Sequence, residues 1–152
     1  MKKKEREIQD RVEIDSIINE AEICRIAFAQ NNEPYMVPMF FGYDGEKIYF
    51  HTALIGKKVD MLRKNRRVCF EIEGQYKFKD HNTIACKWTA QFESVIGYGI
   101  IREINEDDSK IYGLNQIMKK YSKKEWEYSS NMLDQTLILC LEIESMSGKR
   151  SV

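Results

Sequence analysis

The spacing of the first three extended segments constrains the fold most strongly. Residues 23–30 ("ICRIAFAQ"), 34–43 ("PYMVPMFFGY") and 47–52 ("KIYFHT") are each rich in β-branched and aromatic residues. Only the turn "NNE" and a turn at Asp44-Gly45, a strong hairpin signal, separate them. A parallel pair of strands needs a connection of a dozen or more residues. These three strands are therefore predicted to form an antiparallel meander.

Apolar spacing predicts three helices. The first follows Asp10, which stands three residues before Glu13 as in a capping box. A short helix begins after Gly56 and ends near Asn65. A longer helix follows "NEDD" and ends near Tyr121, with acidic residues at its start and lysines at its end, as the helix dipole favours. Helices therefore lie near the start, the middle and the end of the chain.

The rest of the chain is mostly extended. Residues 66–74, 83–104 and 136–146 are β-rich, and Gly97 and Gly99 predict a bend or bulge in the second of these stretches. About six or seven strands joined mostly by tight turns predict a mainly β fold, an antiparallel barrel with flanking helices. The length suits a single domain, residues 1–152, and residues 1–9 are expected to be a mobile N-terminal tail.

Charge and hydropathy argue against several partners. Lysine plus arginine and aspartate plus glutamate both number 24, whereas a nucleic-acid-binding protein normally carries a basic excess. No apolar run approaches the roughly 18 residues of a membrane span. The basic start "MKKK" is not followed by the apolar segment of a secretory signal. We therefore expect a cytoplasmic protein that binds neither nucleic acid nor membrane.

The cysteines suggest neither disulfides nor metal. They are far apart, without a CxxC pair or a histidine at metal-ligand spacing. Each lies in an apolar, strand-like context, so buried free thiols in a reducing compartment are expected. The four are Cys24, Cys69, Cys86 and Cys140.

A candidate phosphate site lies at the start of the short helix. Backbone N–H groups in the first turn are unpaired and the helix dipole is positive there. Gly56 permits close approach, and Lys57 or Lys58 supplies a charge. Without an anion, two lysines at this end oppose the dipole by a few tenths of a kcal/mol each. The residues thus indicate either a binding site for the phosphate of a small cofactor or an ordinary solvated basic turn.

Other catalytic signatures are missing from the sequence. No segment matches a P-loop or a dinucleotide fingerprint, and no serine stands in a GxSxG elbow. The sequence therefore argues against a hydrolase.

Three motifs in a fixed order resemble a known family. They are H-[ST]-A-x-x-G-x-K from His51 to Lys58, N-x-R-V-C-F starting at Asn65, and E-S-V-I-G-x-G starting at Glu93. Together they closely resemble the flavoproteins related to pyridoxamine 5′-phosphate oxidase, specifically the nitroimidazole-resistance subgroup. The resemblance runs from the first helix to the C-terminal "SGKR".

This resemblance implies a split β-barrel that binds FMN at the interface of a homodimer. Lys57 and Lys58 would reach the phosphate, with Lys58 favoured because it stands at the family's fixed lysine. The other residues implied to contact the cofactor lie along the ring or the ribityl-phosphate tail. They are Pro38, Met39, Phe40, His51, Thr52, Ala53, Glu93, Ser94 and Val95. His51 is also the candidate catalytic residue.

The sequence departs from the family pattern at two places. The usual N-P-R-V reads Asn65-Arg66-Arg67-Val68, which removes a rigid turn but no implied ligand. Thr52 replaces the commoner serine and keeps the hydroxyl. Neither change argues against FMN.

The resemblance implies an FMN-dependent oxidoreductase, with a nitroimidazole or nitroaromatic compound as the small-molecule electron acceptor. Without a separate nicotinamide fingerprint, NADH or NADPH would use the flavin site in turn, in ping-pong fashion. Two alternatives stay open. One is a flavin carrier or redox sensor without turnover, and the other is a domain for a different phosphate-bearing ligand such as pyridoxal phosphate.

Overall fold

The computed structural model describes residues 4–151 and contains one antiparallel sheet of eight strands that does not close. The neighbours in the sheet follow the order β3-β2-β6-β7-β8-β5-β4, and β1 pairs with β8. The strands are β1 (Glu7–Ile8), β2 (Cys24–Gln30), β3 (Glu33–Met39), β4 (Gly42–Tyr43), β5 (Lys47–Thr52), β6 (Arg67–Lys79), β7 (Thr89–Ile104) and β8 (Leu137–Ser151).

The predicted fold class, an antiparallel split barrel with flanking helices, is confirmed. The described residues contain eight strands rather than six or seven, because the predicted strand 34–43 is divided into β3 and β4 and because β1 was not predicted. A two-residue strand such as β1 carries no alternating pattern that a sequence can reveal.

All three predicted helices are present, together with one more. They are α1 (Arg11–Glu20), α2 (Lys57–Lys64), α3 (Asp107–Tyr121) and the five-residue α4 (Ser130–Asp134). The Asp10 side chain caps α1 by accepting the Val12 N–H at 2.9 Å. Glu13 does not close a capping box but accepts a hydrogen bond from Arg150 at 2.6 Å.

The helices cover the sheet in two ways. α1 and α2 contribute apolar residues to the main core inside the barrel, where they meet Phe28, Phe50 and Phe70. α3 packs on β4, β5 and β8 and forms a smaller cluster from Tyr49, Ile117 and Cys140. The outer side of β5 therefore lies under α3, while its inner side belongs to the core.

The two glycines of β7 mark a bulge, as predicted. The strand is continuous, and its register on β8 shifts between Tyr98 and Gly99. A Cβ on Gly99 would stand 2.2 Å from the carbonyl oxygen of Glu142. Glycine at this position therefore lets two strand backbones approach closely.

Residues 4–9 are arranged against the sheet. Lys4–Arg6 form a 3₁₀ turn, Glu7 and Ile8 pair with β8, and Ile8 is buried. The first three residues of the expected mobile tail lie outside the described residues.

The four cysteines are free thiols but are not all buried. Cys24 and Cys140 are buried, Cys69 is half-buried and Cys86 is exposed. The prediction for Cys86 is wrong because the residue lies in a 3₁₀ turn, Ala85–Lys87, rather than on a strand. Within residues 4–151, no group of three or more His, Cys, Asp and Glu side chains could hold a metal ion. No helix in this range is both long and apolar enough to span a bilayer.

Lys120 joins α3 to the end of α1. Its half-buried ammonium donates hydrogen bonds to the carbonyl oxygens of Ile18 and Asn19, at 2.9 and 2.8 Å. It also lies 4.4 Å from the ring centre of Phe41. Burial lowers the pKa of Lys120 to about 8. The Lys120 ammonium thus helps to cap the C-terminal end of α1.

This contact predicts a pH effect on stability. Because the folded pKa of Lys120 lies below the unfolded value, the unfolded chain binds more protons between about pH 8 and 10.5. The free energy of unfolding should therefore rise with pH in this range, relative to that of Lys120→Met, by roughly 1–2 kcal/mol after allowance for partial exposure. Urea unfolding of both proteins at pH 7.5, 9 and 10.5 measures the difference. If the free energy of unfolding changes equally with pH in both proteins, the pKa of Lys120 is not lowered by folding.

Candidate functional site

The start of α2 has an unusual backbone. Gly56 is the N-cap, with φ of 136°, and no side chain caps the helix there. Its carbonyl accepts the N–H of Asp60 at 3.0 Å. The preceding residue Ile55 is 82% exposed. Uncapped N–H groups beside an open loop are suited to bind an anion.

The two lysines of this turn have different environments. Lys57 donates to Glu33 at 2.5 Å and lies 4.8 Å from the ring centre of Tyr35. The hydrogen bond with Glu33 raises the pKa of Lys57. Lys58 is half-buried and has no ion-pair partner within residues 4–151. Lys58 is therefore better placed to bind an anion than Lys57.

The end of β5 points its side chains to opposite faces. Thr52 is buried and lies on the same face as Phe50, which is in the core. His51 is exposed and lies on the other face, with Tyr49. Ala53 is exposed and begins the loop that leads to Gly56. A ligand on the outer surface could contact the His51 side chain but not that of Thr52.

The end of β3 shows the same alternation. Pro38 and Phe40 are exposed, whereas Met39 is buried in the core. The ring of Phe40 packs edge-on against Tyr121, with centres 5.1 Å apart. The next strand begins at residue 42, which pairs with residue 49, so Phe40 and His51 each lie two residues beyond this pair. The chain thus passes from the end of β3 through Phe40 into β4, which pairs with β5.

An elongated ligand could follow β3. The Lys57 ammonium contacts Tyr35, and Pro38 lies three positions further along β3. Three residues of strand span about 10 Å. A phosphate at the start of α2 and a planar group near Pro38 and Phe40 are thus close enough to belong to one molecule. Because Tyr35 lies on the core side of β3 and Pro38 on the outer side, that molecule would have to pass around this edge strand.

Of the three predicted residues on β7, one offers a side chain on the outer face. Val95 is fully buried in the core, so only its backbone could reach a ligand. Glu93 accepts a hydrogen bond from Arg150 at 2.6 Å, and Arg150 also binds Glu13 of α1. Ser94 lies on the opposite face from both.

The predicted residues of β5 and β7 lie near opposite ends of β8. Thr52 pairs with Leu137 at the start of β8, and Ser94 pairs with Lys149 near its end. These positions are a dozen residues apart, roughly 40 Å along a straight strand. The fold of a single chain therefore separates the two groups along the sheet.

An exposed apolar row crosses the outer face of four strands. The pairing registers align Met36, Ala27, Cys69 and Tyr98 across β3, β2, β6 and β7. Met36 is 61% exposed and Tyr98 is 46% exposed. Contiguous apolar surface of this kind often marks an interface. Sequence reasoning missed this row because it depends on register, which alternation along one strand does not specify.

The next row on this face contains an ion pair between two residues of different strands. It aligns Pro38, Arg25, Glu71 and Ile96, and Arg25 donates to Glu71 at 3.0 Å. The hydrogen bond with Glu71 raises the pKa of Arg25. Pro38, implied to lie beside the cofactor, therefore belongs to the same exposed face as the apolar row.

A surface cavity of about 470 Å³ lies elsewhere, between α3 and strands β5, β7 and β8. Tyr49, Tyr112 and Cys140 contribute to its lining, and both tyrosine hydroxyls donate to Asp44. None of the residues predicted to contact the cofactor lines this cavity.

Comparisons with known structures agree with this fold. A candidate 5-nitroimidazole antibiotic resistance protein from Bacteroides thetaiotaomicron is 29% identical, with a TM-score of 0.85 over 95% of this chain and 86% of that chain. The FAD and haem binding protein from Mycobacterium smegmatis has the same TM-score at 16% identity, covering 96% and 73% of the two chains. The flavocytochrome Anf3 from Azotobacter vinelandii has a TM-score of 0.83 at 19% identity, covering 96% and 69%.

Comparison with sequences identifies the family. An uncharacterised protein of Rhizobium meliloti is 26% identical over 65 residues, which make up 43% of this chain and 42% of that protein. The family model described as pyridoxamine 5′-phosphate oxidase matches residues 10–150. Because that match takes in nearly every strand and helix described above, the chain belongs to the pyridoxamine 5′-phosphate oxidase family.

Proposed function

We propose that this protein is an FMN-dependent oxidoreductase that works as a homodimer with the flavin at the subunit interface. The single observation that carries the proposal is the start of α2, where no side chain caps the helix and Lys58 has no ion-pair partner within residues 4–151. The family and the relatives support a flavin: one similar structure is named for binding FAD and haem, and another is named a flavocytochrome.

The proposed phosphate contacts follow from charge and backbone geometry. The ammonium of Lys58 and the first N–H groups of α2 would bind the FMN phosphate. Lys57 would stay with Glu33 and hold the start of α2 against β3. Gly56, with its positive φ, would leave the approach to these N–H groups clear of a side chain.

The isoalloxazine ring would lie by the ends of β3 and β5. Pro38, Phe40 and His51 offer exposed side chains there. Ala53 is open to the ribityl chain, whereas Met39, Thr52 and Val95 would act through their backbone or support their neighbours from the core. His51 is the candidate for moving a proton at the flavin.

The distance between the two groups of site residues supports the proposed homodimer. A flavin beside His51 and Lys58 of one chain would lie far along β8 from Ser94 of the same chain. Ser94 would therefore come from the partner subunit. The apolar row that includes Met36 and Tyr98 offers the surface on which two sheets could pack.

The proposed substrates are a nicotinamide donor and a nitroaromatic acceptor. Bound FMN supplies a group that takes two electrons from one substrate and gives two to the next. Overall, reduced nicotinamide, a proton and a nitroarene would yield oxidised nicotinamide, the nitroso compound and water. The resistance protein of 29% identity supports this acceptor class.

The test is the visible spectrum of the purified protein with added FMN, recorded before and after anaerobic addition of NADH or NADPH. We expect a bound-flavin spectrum that bleaches with the donor and returns when nitrobenzene is added, and a dimeric mass by sedimentation. Bound FMN that no donor bleaches would indicate a carrier or sensor. If the protein binds added pyridoxal phosphate but does not bind FMN, its ligand is a different phosphate compound and the proposal fails.

A further inference from the structure

The strands β6 and β7 extend together beyond the core as a ribbon that is two-stranded except at Phe92, which also pairs with Ser151 of β8. Residues 76–79 of β6 pair with residues 89–92 of β7, after a register shift that follows Glu73. The connecting loop is held by its own bonds: the Trp88 indole N–H donates to the carbonyl of His81, whose ring accepts the N–H of Ile84. We call residues 76–79 and 89–92 the ribbon.

The ribbon has one aromatic face and one basic or polar face. Tyr76 is opposite Phe92, and Phe78 is opposite Ala90, so their side chains share a face. The rings of Tyr76 and Phe78 meet edge-on, with centres 5.8 Å apart. Lys77 lies on the other face.

The aromatic rings are exposed although the ribbon is well paired. Tyr76 is 63% and Phe78 is 69% exposed. Adjacent exposed rings form a contiguous apolar patch, which often marks a binding surface. Because the ribbon is paired along its length, the rings are held in place before any ligand arrives.

The aromatic face continues the face that carries Ser94. Ser94 and Phe92 are two residues apart on β7, about 7 Å, and so point the same way. The register supports this, because Lys149 pairs with Ser94 while its ammonium lies 5.4 Å from the ring centre of Phe92. Wherever Ser94 meets a flavin ring, Phe92 and the ribbon lie next to it.

We infer that Tyr76, Phe78 and Phe92 form the wall that binds the planar aromatic acceptor beside the flavin, an inference that rests on the proposed function. Ring faces held at fixed positions stack on planar π-systems, and Lys149 adds a positive charge for the oxygen atoms of a nitro group. These residues select aromatic acceptors over small non-aromatic ones. In the proposed dimer they come with Ser94 from the partner subunit.

Steady-state kinetics with two acceptors test this role. The double variant Tyr76→Ser/Phe78→Ser removes the rings, and Lys77→Ser/Lys79→Ser is the matched control on the other face of the same strand. The readout is the ratio of kcat/KM for nitrobenzene to kcat/KM for dioxygen, both uncharged acceptors. We expect the ratio to fall about tenfold in the aromatic variant and to stay unchanged in the control.

Two further measurements separate the possible failures. FMN titration of the unmodified protein reports on the proposed function alone, and if FMN does not bind, both proposals fall. If FMN binds but the aromatic variant keeps the wild-type ratio, only the acceptor wall is wrong. If the aromatic variant loses the dimeric mass in sedimentation while the control keeps it, the ribbon is a subunit contact and the inference is overturned.

Discussion

Replacing Lys58 by alanine is expected to weaken FMN binding by roughly 1.5–3 kcal/mol, about 10- to 150-fold in Kd. The reason is the difference between two neighbouring lysines. Lys57 is held by Glu33, whereas Lys58 has no ion-pair partner within residues 4–151 and sits at the uncapped start of α2. Without Lys58, the phosphate would keep its hydrogen bonds from backbone N–H groups but would lose its positively charged partner. Fluorescence titration of the apo-protein with FMN measures the loss.

Two matched variants test the specificity of this effect. Lys64→Ala removes a lysine from the last turn of the same helix and should leave the Kd for FMN close to the wild-type value. Lys57→Ala should have an intermediate effect, because it frees Glu33 near the phosphate without removing the main contact. Equal affinities for Lys58→Ala and Lys64→Ala would show that Lys58 does not bind the phosphate.

Replacing Gly42 by alanine is expected to destabilise the fold by about 3 kcal/mol or more. A Cβ on Gly42 would stand 2.3 Å from the backbone carbon of Gln116 and 2.4 Å from the backbone nitrogen of Ile117. Both atoms belong to the backbone of α3 and cannot rotate away as a side chain can. The helix would have to move off β4 and β5. Urea unfolding followed by circular dichroism measures the change in the free energy of unfolding.

Gly45→Ala is the control for Gly42→Ala. Gly45 has a φ of 97°, and a Cβ there would meet no atom within 4 Å. Its replacement carries only the cost of a positive φ, roughly 1–2 kcal/mol. If Gly42→Ala costs no more than Gly45→Ala, the close approach of α3 to the sheet does not limit stability.

Features that depend on neighbouring residues could be predicted from the sequence. The turn at Asp44-Gly45 is present, because the Asp44 N–H donates to the carbonyl of Lys47 and the Asp44 side chain accepts the N–H groups of Glu46 and Lys47. The bulge near Gly99 is present for a similar reason, since two glycines in one strand give a local signal. Interactions between residues close in sequence determine this turn and this bulge.

Features that depend on distant partners could not be predicted. The family resemblance favours Lys58, but the physical difference between the two lysines is not visible in the sequence, because the partner of Lys57 is Glu33, 24 positions away. Three consecutive residues in a motif likewise suggest three contacts, whereas strand alternation places Ser94 on one face and Val95 in the core. Which residues share an outer row depends on register, and register is a property of the folded sheet.

The distance along β8 between the two groups of site residues has a thermodynamic consequence. Because each flavin in the proposed dimer would contact both chains, cofactor binding and subunit association would stabilise each other by mass action. Diluting the protein would release the cofactor, and adding the cofactor would draw separate chains together. The supply of the cofactor in the cell would then set the fraction of the chains that are assembled, and with it the amount of working enzyme.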